Sequence, residues 1–176
     1  MSNLPKKCLV DTNVPITANL ASAPTIPDEL FDCVEACVDA VEHIVKHGGL
    51  VLDAGDEIFE EYRHKLSLSG QPGMGDRFVK WVHDHRWSLP AEDLVVISKQ
   101  DDTYQEFPKH SGLRDFDRSD RKFVAVANAH PAKPPILEAM DSKWWGWAEA
   151  LQQVGITTHF LCPDYAKTKY RKKMGK

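Results

Sequence analysis

Apolar residues fall along this chain in two rhythms, short unbroken runs and spacings of three to four, and the rhythms alternate. Cys8-Leu9-Val10 is a run that stops at Asp11, and Leu50-Val51-Leu52 is one that stops at Asp53. Leu94-Val95-Val96-Ile97, the segment Ile136 to Met140 ahead of Asp141, and Thr157 to Cys162 follow the same pattern. Short apolar runs of this kind predict buried strands of a parallel sheet, in which both faces are covered. Between them, Leu30, Val34, Cys37, Val41 and Ile44 recur at helical spacing after Pro27-Asp28-Glu29 and run to a stop at Gly48-Gly49. Ile58, Phe59, Tyr62 and Leu66 mark the inner face of a helix from Asp56, and Phe78, Val79 and Val82 mark another that carries Trp81. A further helix spans about Ser119 to Ala129 and breaks before Pro134-Pro135, and the last contains Trp144, Trp145, Trp147, Ala148 and Leu151. The order βαβα predicts an α/β fold built on a parallel sheet.

The interruptions are as informative as the elements. Ser67 to Asp76, with Gly70, Pro72, Gly73 and Gly75, reads as a flexible excursion between helices, and it lacks the Gly-Lys-Ser/Thr ending of a nucleotide-binding P-loop. Ser98 to Ser119 is the longest polar loop, a kind that is often functional. A basic tail closes the chain, with Lys167, Lys169, Arg171, Lys172, Lys173 and Lys176. The expected organisation is one domain over residues 1–165 and a tail over 166–176, since 176 residues suit a single core.

Charge and composition narrow the partners. Lys and Arg number 22 against 26 Asp and Glu, a net charge of −4, so no global positive field draws in polyanions and any nucleic-acid contact is local. No run reaches the roughly 18 apolar residues of a membrane-spanning helix, and no signal-peptide core follows Met1, which predicts a soluble cytoplasmic protein with no membrane partner. The four cysteines, Cys8, Cys33, Cys37 and Cys162, show no Cys-x-x-Cys. In a reducing compartment they are expected as reduced core thiols, with a zinc site or redox pair as the alternative.

The acids carry the chemistry. Asp11 and Asp141 each follow an apolar strand, and in a parallel sheet both emerge at the rim where such sheets bind ligands. Asp120 lies three, four and seven residues before Phe123, Val124 and Ala127, on the side of the apolar stripe, where a carboxylate needs a partner. Asp117 suits a helix cap. In the helix from Asp56, Glu61 lies roughly 115° from the apolar centre and Glu57 and Glu60 nearer 150°, so Glu61 is the acid closest to the core. Glu138 is a mid-strand rival to Asp141 and a poorer rim candidate. Two carboxylates about 4 Å apart repel by roughly 4 kcal/mol at an effective dielectric of 20, so Asp11, Glu61, Asp120 and Asp141 converging on one crevice require protons or a cation. Oxygen donors without clustered His or Cys favour Mg²⁺ or Mn²⁺.

This set resembles the PIN domain family of metal-dependent nucleases. The matching residues are Val10-Asp11-Thr12-Asn13, Glu61-Tyr62, Asp117-Arg118-Ser119-Asp120-Arg121-Lys122 and Met140-Asp141, spread from about Cys8 to Pro163. The resemblance implies a three-layer α/β/α fold with a five-stranded parallel sheet in the order 3-2-1-4-5. It implies that Asp11, Glu61, Asp120 and Asp141 bind one or two divalent ions and activate water for attack on a phosphodiester, most often of RNA, leaving 5′-phosphate ends. Thr12 and Asn13 become supports near the metal, with Asp117 beside them, and Arg118, Arg121 and Lys122 are placed to hold the scissile strand. Homodimerisation comes as a family expectation. The roles left open are a toxin with an antitoxin partner, a processing nuclease and a defence component. The long loops around Gln71 and Gln105 and the basic tail depart from a compact member of the family.

Two other readings compete for the same residues. A PIN-like module that binds RNA or a partner protein without cutting keeps the fold and loses the chemistry. A phosphatase with an aspartyl nucleophile needs a second aspartate two residues on, where Asp11-Thr12-Asn13 has asparagine. His83-x-His85, with His64, His110 and His130 elsewhere, matches no ligand spacing. Trp144, Trp145 and Trp147 are expected in packing rather than base stacking.

Overall fold

The computed structural model describes residues 3–175. In chain order the elements are β1 (Leu9–Val10), α1 (Asn13–Asn19), α2 (Phe31–His47), β2 (Leu52–Asp53), α3 (Glu57–Lys65), α4 (Met74–His85) and β3 (Leu94–Val95). There follow β4 (Lys99–Gln100), β5 (Thr103–Tyr104), α5 (Arg121–Ala129), β6 (Ile136–Glu138), α6 (Ser142–Gln153), β7 (Thr158–Phe160) and α7 (Pro163–Lys173).

The strands do not join into the expected five-stranded parallel sheet of order 3-2-1-4-5, nor into the three-layer α/β/α arrangement that depends on it. The chain is mixed α/β, 55% helical, with sheets of three, two and two strands. β1, β6 and β7 form a parallel sheet, with Leu9 opposite Ile136 and Leu137 opposite His159. β2 pairs in parallel with β3, Leu52 opposite Leu94, and β4 with β5 makes a small antiparallel hairpin. Between the two parallel sheets lies one bridge, in which Cys8 donates to Gly49 O at 3.0 Å and accepts from Val51 N at 2.9 Å. A longer ladder needs the Val10 carbonyl to accept the next amide of the neighbouring strand. The buried Tyr62 hydroxyl donates to that carbonyl instead.

Local chemistry explains the helices. Gly48, at φ 74°, closes α2 by donating to Ile44 O at 2.7 Å, a conformation glycine adopts without strain. α1 was hidden in sequence by its Pro15, which the first turn of a helix tolerates. It packs on α2 and α4 so closely that a Cβ on Gly75 would lie 1.9 Å from Pro15 O. The segment Ser67 to Asp76 is accordingly not a free excursion. The buried Asp76 carboxylate accepts from Ser67 N at 2.8 Å, Gly73 N at 3.0 Å and Asn19 Nδ2 at 3.1 Å, tying the segment to the start of α4.

The core runs through Tyr62, Phe78, Phe116, Phe123 and Trp144, all fully buried. Trp144 and Trp147 pack on Phe116 with ring centroids 5.2 and 4.4 Å away, and Trp145 lies 5.0 Å from Phe160. The third apolar run keeps only two residues in a strand, and Val96 is 72% exposed where the chain turns toward the hairpin. Residues 167–173 of the basic tail belong to α7, which packs on α6 with Tyr170 against Gly146. Lys176 lies outside the described residues.

The cysteines differ from their sequence expectation. Cys33 on α2 and Cys162 at the start of α7 form a disulfide, Cα–Cα 5.2 Å, while Cys8 and Cys37 are free and buried. The separation of 129 positions between Cys33 and Cys162 hides their meeting from any local pattern. Burial pushes the Cys8 and Cys37 thiols up to about 12. No helix among the described residues is long and apolar enough to cross a membrane.

Candidate metal centre

Four elements bring the acids within electrostatic reach of one another. β1 ends at Asp11, only 2% exposed, whose backbone amide bonds Leu137 O at 3.0 Å and so fixes it against β6. The Asn13 amide donates to Asp11 Oδ2 at 3.0 Å. α3 brings Glu61, the start of α5 brings Asp120, and the turn from β6 into α6 brings Asp141. Burial lifts the Asp11 carboxyl to about 6, with the charges of Glu61 and Asp141 pushing the same way against the Asn13 amide. Asp120 rises to about 8, from burial first and then from the charges of Asp11, Asp117, Asp141 and Glu61. Asp11 and Asp120 therefore lie in the field of the neighbouring acids.

The choice among the glutamates of α3 has a geometric answer. Glu61 accepts from the Thr12 hydroxyl and from Lys122 Nζ at 2.8 Å. Glu60 turns outward to Arg63 at 2.8 Å, and Glu57 to Lys99 at 3.4 Å. Thr12 thus holds Glu61, and Asn13 holds Asp11 through its backbone. Asp141 Oδ1 accepts from Lys143 N at 3.0 Å as the cap of α6. Asp117 caps the turn Arg118–Asp120, accepting from Ser119 N at 3.1 Å and Ser119 Oγ at 2.9 Å, with Lys143 Nζ 3.3 Å away. Burial pulls the Asp117 carboxyl up, but these contacts outweigh it and hold it below the usual range.

Glu138 belongs to this group and sequence reasoning set it aside. It is 0% exposed, lies beside Asp11, and is pushed well above the ordinary glutamate range by burial and by the Asp11 charge. Its Oε1 accepts from Ala139 N at 3.0 Å, and its Oε2 has no partner among the described residues. All three residues of β6 are buried, so alternation gives no warning of which face a mid-strand acid takes.

The three basic candidates separate. Lys122 bonds Glu61 within the centre. Arg118, 74% exposed and paired with Asp102 at 3.2 Å, lines a cleft of about 550 Å³ together with Lys99, Tyr104, Ser119 and Lys122. Arg121 is committed to the fold, donating to Phe116 O at 3.1 Å and Arg114 O at 3.0 Å with its guanidinium 5.1 Å from the Phe107 ring. Of the histidines, His130 is buried and paired with Asp93 at 2.9 Å, remote from any cluster of ligands.

The donors are carboxyls, the ligands a hard divalent cation prefers, and the ammonium contacting them is that of Lys122. Their oxygens do not meet at one point: among the described residues the one group of ligand atoms lying within 4.8 Å of one another is Cys33, Cys37 and Cys162, so an ion held by three of these acids has to draw them together. Comparison of the chain with protein-family models, with curated proteins and with solved structures finds no match.

Proposed function

We propose that this protein is a Mg²⁺- or Mn²⁺-dependent endonuclease that hydrolyses phosphodiester bonds of RNA. The observation that carries the reading is the pair Asp11 and Asp120, both raised by burial and by the charges of neighbouring acids, Glu61 and Asp141 among them. A structural role accounts for Glu61, paired with Lys122, and for Asp141, which caps α6, but not for Asp120, whose raised carboxyl faces other acids. A bound divalent ion would neutralise them and supply a hydroxide-like water and a counter-charge for the phosphate oxygens.

The chain's own groups have defined work around that centre. The Asn13 amide fixes one Asp11 oxygen, and the Thr12 hydroxyl and Lys122 fix Glu61. Arg118 and Lys99 stand along a cleft that Lys122 also lines, with exposed ends in weak surface ion pairs that a phosphate can replace, although Glu57, Glu60, Asp101 and Asp102 share the same walls. Phosphate contacts of this kind position a strand without reading its sequence. An RNA substrate sets the site of action in the cytoplasm. An antitoxin partner and a homodimer remain part of the PIN-like reading and are tested by size-exclusion chromatography of the purified chain.

One observation favours the second reading, a module that binds RNA or protein without cutting: Lys122 already neutralises Glu61. Purified protein with Mn²⁺ is expected to cut single-stranded RNA into fragments with 5′-phosphates, and Asp11→Asn to abolish cutting. Cutting at the wild-type rate by Asp11→Asn overturns the mechanism, and RNA binding without cutting in the wild type selects the second reading.

A further inference from the structure

We propose a second metal site, for a soft cation: when the Cys33–Cys162 disulfide is reduced, the sulfurs of Cys33, Cys37 and Cys162 together take one zinc ion. The three ligand atoms lie within 4.8 Å of one another and all three residues are buried. Zinc–sulfur bonds of about 2.3 Å place tetrahedral sulfurs roughly 3.8 Å apart, so small rotations of the side chains bring the trio into range. Cys33 and Cys37 stand four residues apart on α2, which puts them on one helix face, and Cys162 reaches them from the start of α7. Two helices and three thiols thus meet at one point.

The third sulfur is what a simple staple leaves unexplained. A disulfide uses two cysteines, and Cys37, 0% exposed, is too enclosed to act as a thiolate that attacks it. A metal uses all three. Thiolates are soft ligands that select zinc over magnesium, which separates this site from the all-oxygen centre at Asp11. A cleft of about 270 Å³, lined by Cys33 and Cys162 with Glu29, Asp32 and Asp164, reaches two of the three cysteines, with Cys37 enclosed behind them. It provides an entry path, and a carboxylate or water for the fourth position.

The redox step balances with a dithiol reductant. Two electrons and two protons pass from the dithiol to the Cys33–Cys162 bond, which breaks to two thiols as the reductant closes its own disulfide. Zinc then displaces the protons of the three thiols. In either state α2 stays tied to the start of α7, by a covalent bond when oxidised and by the metal when reduced.

The test uses the full chain, metal-free, in its oxidised and dithiol-reduced forms, titrated with zinc alone. The reduced form is expected to bind one zinc and to protect three of its four thiols from a thiol reagent, and the oxidised form to bind none at this site. Cobalt in place of zinc is expected to give a near-ultraviolet thiolate-to-metal band, which binding at carboxylates does not produce. Cys37→Ser should leave the disulfide intact and weaken zinc binding at least about a hundredfold, while Cys8→Ser changes neither. Should Cys37→Ser fail to fold, Cys37→Ala serves in its place. A reduced wild type that shows no thiolate band, or a Cys37 variant that binds zinc as tightly as wild type, overturns the site. The Asp11→Asn background keeps the expected zinc stoichiometry, so failure here is distinguishable from failure of the nuclease reading.

Discussion

An aspartate follows β1 and another ends β2, and the two side chains are equally enclosed, Asp11 at 2% and Asp53 at 1% exposure. Their surroundings differ. Asp53 accepts from Ile58 N at 2.9 Å and Glu57 N at 2.8 Å, the first amides of α3, so its two oxygens are spent on starting a helix. Asp11 has one such amide, from Asn13, and otherwise faces Glu138, Glu61 and Asp141. One local pattern, an apolar strand closed by an acid, therefore serves two ends. Where amides satisfy both oxygens the carboxylate is structural, and where other carboxylates surround it its burial raises its affinity for a proton or a cation.

Substitution breaks the comparison most strongly. Asp11→Asn is expected to lower Mn²⁺-dependent cleavage by about a thousandfold or more, because it removes a ligand rather than a fold contact. Without metal the same change should raise the melting temperature, since it removes one member of a repelling set. Asp53→Asn should do the reverse: two charge-assisted bonds to amides are weakened at a cost of about 1–3 kcal/mol, and the molecules that remain folded should cut normally. Cleavage per folded molecule and thermal melts measure both arms. Equal loss of cleavage in the two variants would erase the distinction.

Metal and pH sharpen the same contrast with a smaller effect. With Asp11 raised to about 6 and Asp120 to about 8, the folded chain without metal holds protons that the unfolded chain loses near pH 4. Between about pH 4 and about pH 8 the folded state thus binds more protons, and stability falls as pH rises. Asp53 and Glu138 are shifted in the same direction and add to the slope. Mn²⁺ competes with those protons only at the clustered acids, so its stabilisation should grow from about pH 5 to about pH 8, reaching roughly 2.7 kcal/mol at a hundred times its dissociation constant. Denaturant melts across pH, with and without Mn²⁺, check this. Asp53→Asn should keep the metal effect and Asp120→Asn should lose most of it. A metal effect independent of pH would separate the ion from these carboxyls.

The longer amphipathic helices were the legible part of the fold, whereas α1 and α7 were not. The spacing from Leu30 to Ile44 marks α2, and the stripes of Ile58 to Leu66 and Phe123 to Ala127 mark α3 and α5, because a helix packed on one side must repeat its apolar residues. Pairing between strands was not legible, since no residue of β1 states that the Tyr62 hydroxyl will occupy the Val10 carbonyl. The β4–β5 hairpin lay inside a polar loop whose turn depends on Asp101 at φ 54°, without an apolar face to announce it. At the candidate site, Asp11 and Asp141 were visible as strand-ending acids, whereas Glu138 was hidden by a strand buried on both faces. The disulfide depends on a tertiary meeting that composition cannot encode.

The smallest effect concerns the bond that separates β1 from β2. In Tyr62→Phe the ring still fills its place against Phe78, 5.6 Å between centroids, so the packing of α3 is kept. What is lost is the hydroxyl donor, and the Val10 carbonyl, in a fully buried strand, is left without it. The cost is expected to be about 1 kcal/mol, the net worth of one buried hydrogen bond, read as a lower denaturation midpoint at unchanged slope. Cleavage and Mn²⁺ affinity should change less than about twofold, because Asp11 remains fixed by its amide bond to Leu137 and by the Asn13 amide. A large loss of metal affinity in this variant would mean that the Tyr62 hydroxyl, rather than the β1–β6 pairing, sets the position of Asp11.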